Sequence, residues 1–364
     1  MTYLDYQATT PLAPEALAAM LPWLETNFAN PHSAHAQGRA AKAAVEVARE
    51  AVADLLPDGG AVSFTSGATE ALNWAIKGTT GPIVTLATEH AAVLDTVEAL
   101  AGHGRKVTVV PVNSDGLVDF PALRAAIRPG TGLVTAMLVN NEIGTIQPVA
   151  QLAQLAHEAG ALFLCDAVQG YGRVLIPDEC DLVAISAHKV HGPKGVGALW
   201  IRDGITLEPL MHGGGQEAGG RSGTLSPALC AGFGAAAKLA KQRFGADRAH
   251  VRQLFEVAVR ALTGRGWTLN GSRDERYPGN LNVRLDGLDV ARLMSELRDI
   301  AFSAGSACAS GSGRPSHVLR TIGLTDAQAR SSIRLGFGRY TNEEELLAAL
   351  DRIAAAARAQ KVSA

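Results

Sequence analysis

The sequence has few cysteines, almost no net charge and no long apolar run. Its four cysteines, Cys165, Cys180, Cys230 and Cys308, are far apart and form no Cys-x-x-Cys pair, so we expect neither a metal site nor a disulfide framework. The 33 basic and 35 acidic residues give a formal net charge of −2. This balance provides no electrostatic case for binding nucleic acid or an anionic membrane.

Two further absences bear on location. The first residues, "MTYLDYQATTPLAP", contain no basic segment followed by an apolar run, which a secretory signal would have. Apolar runs elsewhere are interrupted well before they reach the length of a membrane span. Together with the widely spaced cysteines, these features predict a soluble protein in the reducing environment of the cytoplasm.

What the sequence does contain is the pattern of an α/β protein. Its 364 residues, 47% of them hydrophobic, are enough for a large core and more than one domain. From about residue 60 to 200, short apolar strands alternate with helical stretches, which predicts a largely parallel sheet with helices on both faces. After about residue 225 a long alanine-rich helical region precedes mixed strands and helices. We predict a large domain over 14–247 and a smaller α+β domain formed by 1–13 and 248–364.

Five of the predicted strands are followed directly by polar residues. Ligands of open α/β sheets bind beyond the carboxyl ends of the strands, so these residues are candidates for a site. The segments are "TSGATE", "TEH", "NNE", "DAVQ" and "SAHK". Each has an ordinary structural explanation when taken alone: a helix cap, a satisfied histidine, a turn, an ion pair with an arginine and a solvated lysine.

Taken together, the five segments match the requirements of pyridoxal 5′-phosphate. Free N–H groups and the Thr69 hydroxyl at a helix start would bind the phosphate. Asp166 would hold a proton on the ring nitrogen, and His90 would stack on the ring and move protons. The amine of Lys189 would form a Schiff base with the aldehyde. The combination predicts an enzyme that depends on this cofactor.

The chain resembles the pyridoxal-phosphate-dependent cysteine desulfurases of the NifS/IscS type, in the class V aminotransferase family. The resemblance covers nearly the whole chain and includes the segments "FTSGATEALNWAIKG", "SAHKVHGPKGVGALW" and "SAGSACASG". It implies fold type I of the pyridoxal-phosphate-dependent transferases and a homodimer. It also implies conversion of L-cysteine to L-alanine, with the sulfur passed to a scaffold or carrier protein for iron–sulfur cluster assembly or thiolation.

The resemblance also implies a role for each matching residue. Lys189, His90 and Cys308 would be catalytic, with Cys308 receiving the sulfur as a persulfide. Cys308 lies in "AGSACASGSG", whose composition is typical of linkers. The residues that would bind the cofactor are Ala68, Thr69, His90, Asn141, Asp166, Gln169, Ser186, His188, Lys189 and Thr224. Thr224 would reach the phosphate in the partner subunit, and Asn30 and Arg334 would grip the substrate carboxylate.

Some features depart from the family pattern. Val168 stands where threonine is usual, and Ala218 stands where arginine is usual. The segment "IRDGITLEP" is poor in arginine, and the sequence stops soon after its last predicted helix. Since some relatives dock their sulfur acceptors through these regions, we expect docking to an iron–sulfur scaffold to be weaker or differently placed.

Other functions remain open at this point. A selenocysteine lyase or an aminotransferase could share the fold, although an aminotransferase needs no second nucleophile such as Cys308. A non-catalytic sulfur-carrier partner is a third possibility, which the intact Lys189, Asp166 and His90 disfavour. The sequence does not distinguish nitrogenase maturation, general iron–sulfur assembly and tRNA thiolation as the destination of the sulfur.

Overall fold

The chain folds around a large twisted sheet that is covered by helices. The computed structural model describes residues 1–218, 220–305 and 315–362. In chain order, the elements up to the end of this sheet are β1 (Thr2–Tyr3), α1 (Pro14–Glu25), α2 (Ala36–Ala53), β2 (Gly60–Thr65), α3 (Ala68–Lys77), β3 (Ile83–Leu86), α4 (Ala91–Gly102), β4 (Val107–Val110), α5 (Phe120–Ala126), β5 (Leu133–Met137), α6 (Val149–Glu158), β6 (Leu162–Asp166), β7 (Leu182–Ser186), a 3-10 turn (Ala187–Lys189) and β8 (Gly197–Arg202).

The order of strands in the large sheet is β2-β8-β7-β6-β5-β3-β4. Strands β7, β6, β5, β3 and β4 pair in parallel. Strand β8 is antiparallel to both of its neighbours, β2 and β7, so β2 runs in the same direction as β7. The prediction of a largely parallel α/β sheet is confirmed. As a consequence, the carboxyl ends of β2, β3, β5, β6 and β7 share one edge.

Alternate side chains of the central strands enter two separate apolar layers. Leu133, Leu164 and Leu182 pack in one layer, which includes buried side chains of α3 and α4. The residues next to them in sequence face the opposite layer, which includes buried side chains of α2, α6 and α7. This alternation is that of a sheet with both faces covered.

The rest of the chain forms a second structural region. Its elements are α7 (Pro227–Thr263), β9 (Thr268–Leu269), β10 (Asn280–Arg284), α8 (Val290–Glu296), β11 (Ile300–Ala301), β12 (Ser303–Ala304), α9 (His317–Thr321), α10 (Asp326–Arg330), β13 (Ser332–Gly336) and α11 (Glu343–Val362). A four-stranded sheet has the order β12-β13-β10-β9, and β1 pairs in parallel with β11. The predicted boundary between residues 247 and 248 falls inside the continuous helix α7, and the division into two domains stays a prediction. No helix in the described part of the chain is long and apolar enough to cross a membrane.

Candidate active site

A cavity of about 600 Å³ opens at the edge where the parallel strands end. This volume lies in the range of small-molecule and cofactor sites. Most of the residues that the sequence assigned to cofactor or substrate line it. They are Ala68, Thr69, His90, Asn141, Asp166, Gln169, Ser186, His188, Lys189 and Arg334.

One wall of the cavity is the start of α3, which directly follows β2. Ser66 and Gly67 line the wall together with Ala68 and Thr69. The first N–H groups of a helix have no acceptor within the helix, and the helix dipole makes this end positive. Gly197 of β8 packs against this turn so closely that a Cβ atom there would lie 2.7 Å from the Gly67 carbonyl carbon. The turn is thus held in a conformation that can receive an anion.

Asp166 ends β6 and is 2% exposed. Its Oδ1 accepts a hydrogen bond from the Val168 N–H at 3.0 Å. Burial nevertheless raises the pKa of Asp166 to about 6, against the opposing effects of that N–H and of the Lys189 charge. A carboxylate in this position gains from a cationic N–H partner, which the protonated nitrogen of a pyridine ring would provide.

Lys189 lies in the 3-10 turn after β7, at the neighbouring strand end. Its ammonium group donates hydrogen bonds to the carbonyl oxygens of Gln7 and, at 2.8 Å, Ala8. Gln169 donates to the same Gln7 carbonyl at 2.9 Å. The N-terminal segment therefore orients the amine in the cavity.

The two histidines of the cavity are uncharged near neutral pH. His90 caps the start of α4, and its Nδ1 accepts the Ala92 N–H at 3.0 Å, so the proton of the neutral ring is on Nε2. Burial and the Lys189 charge lower the pKa of His90. Burial is also the main reason why the pKa of His188 falls to about 4, with the charges of Lys189, Lys194 and Arg173 adding to the effect.

Arg334 is fully buried on β13 and is already paired. It donates to Asp5 Oδ1 at 2.7 Å and to the Asn141 carbonyl oxygen at 3.1 Å. Its Nε has no hydrogen-bond partner among the described residues. A substrate carboxylate at this wall would meet a guanidinium that Asp5 holds in position.

Two of the predicted site residues do not line this cavity, and a third is not among the described residues. Asn30 is exposed and uses its Oδ1 to accept the His32 N–H at 2.9 Å. Thr224 is also exposed and does not line the cavity. Cys308 lies outside the described residues. The functional roles of these three residues stay predictions.

The sequence analysis missed several residues at or next to the cavity. Gln7, Ala8 and Lys194 line it. Glu89, directly before His90, is buried, and its Oε1 accepts the Met137 N–H at 2.7 Å. Burial and the nearby Asp166 raise the pKa of Glu89 well above its usual range, which favours the protonated form of Glu89 beside Asp166. Glu89 is part of the strand-end segment "TEH", so the sequence could have indicated that it lies near the site.

The residues present fit pyridoxal 5′-phosphate. The donors for an anion, the buried carboxyl of Asp166 and the amine of Lys189 come from neighbouring strand ends and line one cavity. His90 lines the same cavity. The described residues contain no cluster of three or more His, Cys, Asp or Glu side chains that could hold a metal ion.

Comparisons with known proteins agree with this arrangement. Residues 2–348 match the family described as Aminotransferase class-V. Cysteine desulfurase IscS of Rickettsia bellii is 44% identical over 360 residues, covering 94% of this chain and 88% of the relative. A solved NifS-like protein superimposes with a TM-score of 0.90 at 34% identity, covering 97% of this chain and 98% of that one. The structure of SspA in complex with cysteine gives a TM-score of 0.83 at 38% identity, with coverage of 94% and 100%. The chain belongs to the class-V aminotransferase family.

Proposed function

We propose that this chain is a cysteine desulfurase that converts L-cysteine to L-alanine and transfers the sulfur to Cys308. The observation that carries the proposal is the meeting of the Lys189 amine, the buried Asp166 carboxyl and the start of α3 in one cavity. The Rickettsia bellii relative is named a cysteine desulfurase, and SspA was solved with cysteine bound. These names support cysteine as the substrate.

The family depends on pyridoxal 5′-phosphate, which supplies an electron sink for bonds at the substrate carbons. In this chain, Lys189 would hold the cofactor through its aldehyde. Asp166 would keep the proton on the ring nitrogen. The start of α3, with the hydroxyls of Thr69 and Ser186 and the ring of His188, would hold the phosphate. Gln169 and Asn141 would contact the ring oxygen.

Two groups of this chain can move protons during the reaction. Lys189 would act as a base beside the substrate. His90 carries its proton on Nε2, because its Nδ1 accepts the Ala92 N–H at 3.0 Å, so the Nε2–H is the group that His90 would offer to the reaction. The lowered pKa of His90 keeps the ring neutral at the start of the cycle.

The sulfur step needs a thiolate. The Cys308 thiolate attacks the sulfur of the substrate, so that a sulfur–sulfur bond forms as the substrate carbon–sulfur bond breaks. The electron pair of the broken bond, together with the proton that Cys308 gave up, ends in the new C–H bond of the alanine methyl group. The products are L-alanine and a persulfide on Cys308, with atoms and electrons balanced.

The other three cysteines are poorly suited to this step. Cys165, Cys180 and Cys230 are all buried. Burial raises the pKa of Cys230 to about 12. The pKa of Cys165 is raised well above its usual range by the adjacent Cys180 thiol and by burial. Because the thiolate is the nucleophile, neither Cys165 nor Cys230 is a suitable acceptor.

We propose that the active form is a homodimer that passes the sulfur to a scaffold or carrier protein. A dimer would explain why Thr224 is exposed in the single chain, although the family resemblance implies that it binds a phosphate. It also accounts for the apolar face of α1, where Leu17, Leu21 and Leu24 are 45%, 40% and 61% exposed.

The test is to measure alanine and protein-bound persulfide after adding L-cysteine to the loaded enzyme. We expect Cys308→Ala to keep the visible absorbance of the bound cofactor while alanine formation falls by orders of magnitude, since its nucleophile is missing. Cys230→Ala is the matched control and should form alanine normally.

Two outcomes would contradict the proposal. One is a Cys308→Ala protein that forms alanine at the wild-type rate. The other is a wild-type persulfide on Cys165, Cys180 or Cys230. Lys189→Ala tests the cofactor assignment separately, because it should remove both the wild-type visible absorbance and the turnover.

A further inference from the structure

We infer that Lys194 is a further binding residue for the cofactor phosphate and supplies the positive charge that the rest of the phosphate site lacks. The inference rests on the proposed function, because it concerns the same cavity. It adds a residue that neither the sequence analysis nor the family resemblance assigned.

The fold places Lys194 beside the start of α3. Lys194 lines the same cavity as the turn over residues 66–69. It lies in the loop that returns from β7 to β8. Three residues later, Gly197 pairs in the sheet with both Thr65 and Ser186. A Cβ atom on Gly197 would be 2.7 Å from the Gly67 carbonyl carbon, so this loop and the anion-binding turn are in direct contact.

The assigned phosphate ligands carry no full positive charge. The donors at the start of α3 are backbone N–H groups and the Thr69 hydroxyl, and Ser186 offers another hydroxyl. His188, with a pKa of about 4, is neutral at pH 7. A phosphate monoester carries a charge of about −1.5 to −2 at this pH, whereas a helix start contributes only about half a positive charge. The amine of Lys189 is committed to the aldehyde.

The charge of Lys194 acts on this part of the cavity. The pKa of His188 is lowered mainly by burial, then by the charge of Lys189 and then by the charge of Lys194. The charge of Lys194 therefore acts on a residue of the proposed phosphate site. The acidic residue in the first turn of α3, Glu70, is bound by Arg221 at 2.8 Å and by the Ser66 N–H at 2.7 Å. Glu70 is therefore neutralised by partners other than Lys194.

The size of the effect follows from the exposure of Lys194. The side chain is on the rim and is exposed, so solvent screens its charge. We therefore expect Lys194→Met to weaken the binding of pyridoxal 5′-phosphate by about 1.5-fold to fivefold, as is usual for a screened charge pair.

The experiment measures the dissociation constants of pyridoxal 5′-phosphate and of pyridoxal, which lacks the phosphate, for the cofactor-free protein. Lys194→Met should weaken binding of the phosphate form only, and Lys194→Arg should restore it. The difference should shrink at high salt. Lys77→Met is the matched control, because Lys77 is an exposed lysine at the opposite end of α3.

Two results would overturn the inference: unchanged binding of pyridoxal 5′-phosphate by Lys194→Met, or an equal loss for pyridoxal. In either case, tight cofactor binding by the wild type would leave the proposed function standing. A wild-type protein that binds neither compound would instead overturn the proposed function and, with it, the role of Lys194.

Discussion

Asp166 must ionise in surroundings that favour its protonated form, since burial raises its pKa from 3.8 to about 6. Between these two pH values, the folded protein binds a proton that the unfolded chain releases. The free energy of unfolding therefore falls as the pH rises through this window. The raised pKa corresponds to about 3 kcal/mol of stability. This stability is fully present below about pH 4 and fully lost above about pH 6.

Asp166→Asn should consequently stabilise the cofactor-free protein at pH 7.5 by up to about 3 kcal/mol. At pH 3.5 the gain should be absent, because both states of the wild type are then protonated. Urea unfolding at the two pH values measures the difference in the free energy of unfolding between wild type and variant. Asp203→Asn, at an exposed aspartate, is the control. A gain of equal size at both pH values would show that ionisation is not its source. Cofactor binding by Asp166→Asn should weaken, since the ring nitrogen loses its partner.

At the scale of elements, the N-terminal segment secures the turn that carries Lys189. Thr10 is buried there, and its hydroxyl donates to the His188 carbonyl oxygen at 2.9 Å and accepts the His191 N–H at 2.8 Å. These bonds lie on both sides of Lys189, whose amine bonds to the Gln7 and Ala8 carbonyls. The segment therefore sets the position of the Lys189 amine.

Thr10→Val keeps the shape of this side chain and removes both hydrogen bonds. It should lower the free energy of unfolding by about 1–3 kcal/mol, because the buried His191 N–H is left without a partner. It should also weaken cofactor binding, since Lys189 is less well held. Thr80→Val, at an exposed threonine, is the control. If the two variants behave alike in both assays, the N-terminal segment does not position Lys189.

The strands and helices differ in how well the sequence could predict them. The central strands were found because their apolar residues are continuous and are followed by polar strand ends. The structure ends β6 at Asp166, where the Asp166 side chain accepts the Val168 N–H and the chain turns. Helix α1 was not predicted. It contains Pro22 and exposes several leucines, so it lacks the simple amphipathic pattern of a helix on a core.

The residues of the candidate site also differ in whether the sequence could identify them. The side chains with distinctive chemistry, such as Asp166 and Lys189, could be identified from their positions at strand ends. The carbonyl groups of Gln7 and Ala8 could not, since every residue has a carbonyl and only the fold brings these two to Lys189. Asn30 and Thr224 were assigned through the family resemblance alone, and one chain does not bring them to the cavity.

At the scale of the whole molecule, the question is whether one chain makes a complete site. The apolar face of α1 and the exposed Thr224 favour a second copy as the missing part. Symmetric dimers are the commonest assemblies, and each subunit then gives and receives the same contact. Under the proposal, Thr224 of one subunit completes the phosphate site in the cavity that contains Lys189 of the partner subunit.

Mixing two defective variants tests this arrangement. Lys189→Ala loses the amine of its own site, whereas Thr224→Ala would weaken the site of its partner. In a mixed dimer, the site that retains Lys189 would receive Thr224 from the other subunit and be intact. Co-expressed at equal amounts with random pairing, the two variants should give about a quarter of the sites in wild-type form. Alanine formation should then exceed the average of the two variants measured separately. If Thr224 instead serves its own chain, no site in any dimer has both residues, and mixing should give that average and nothing more.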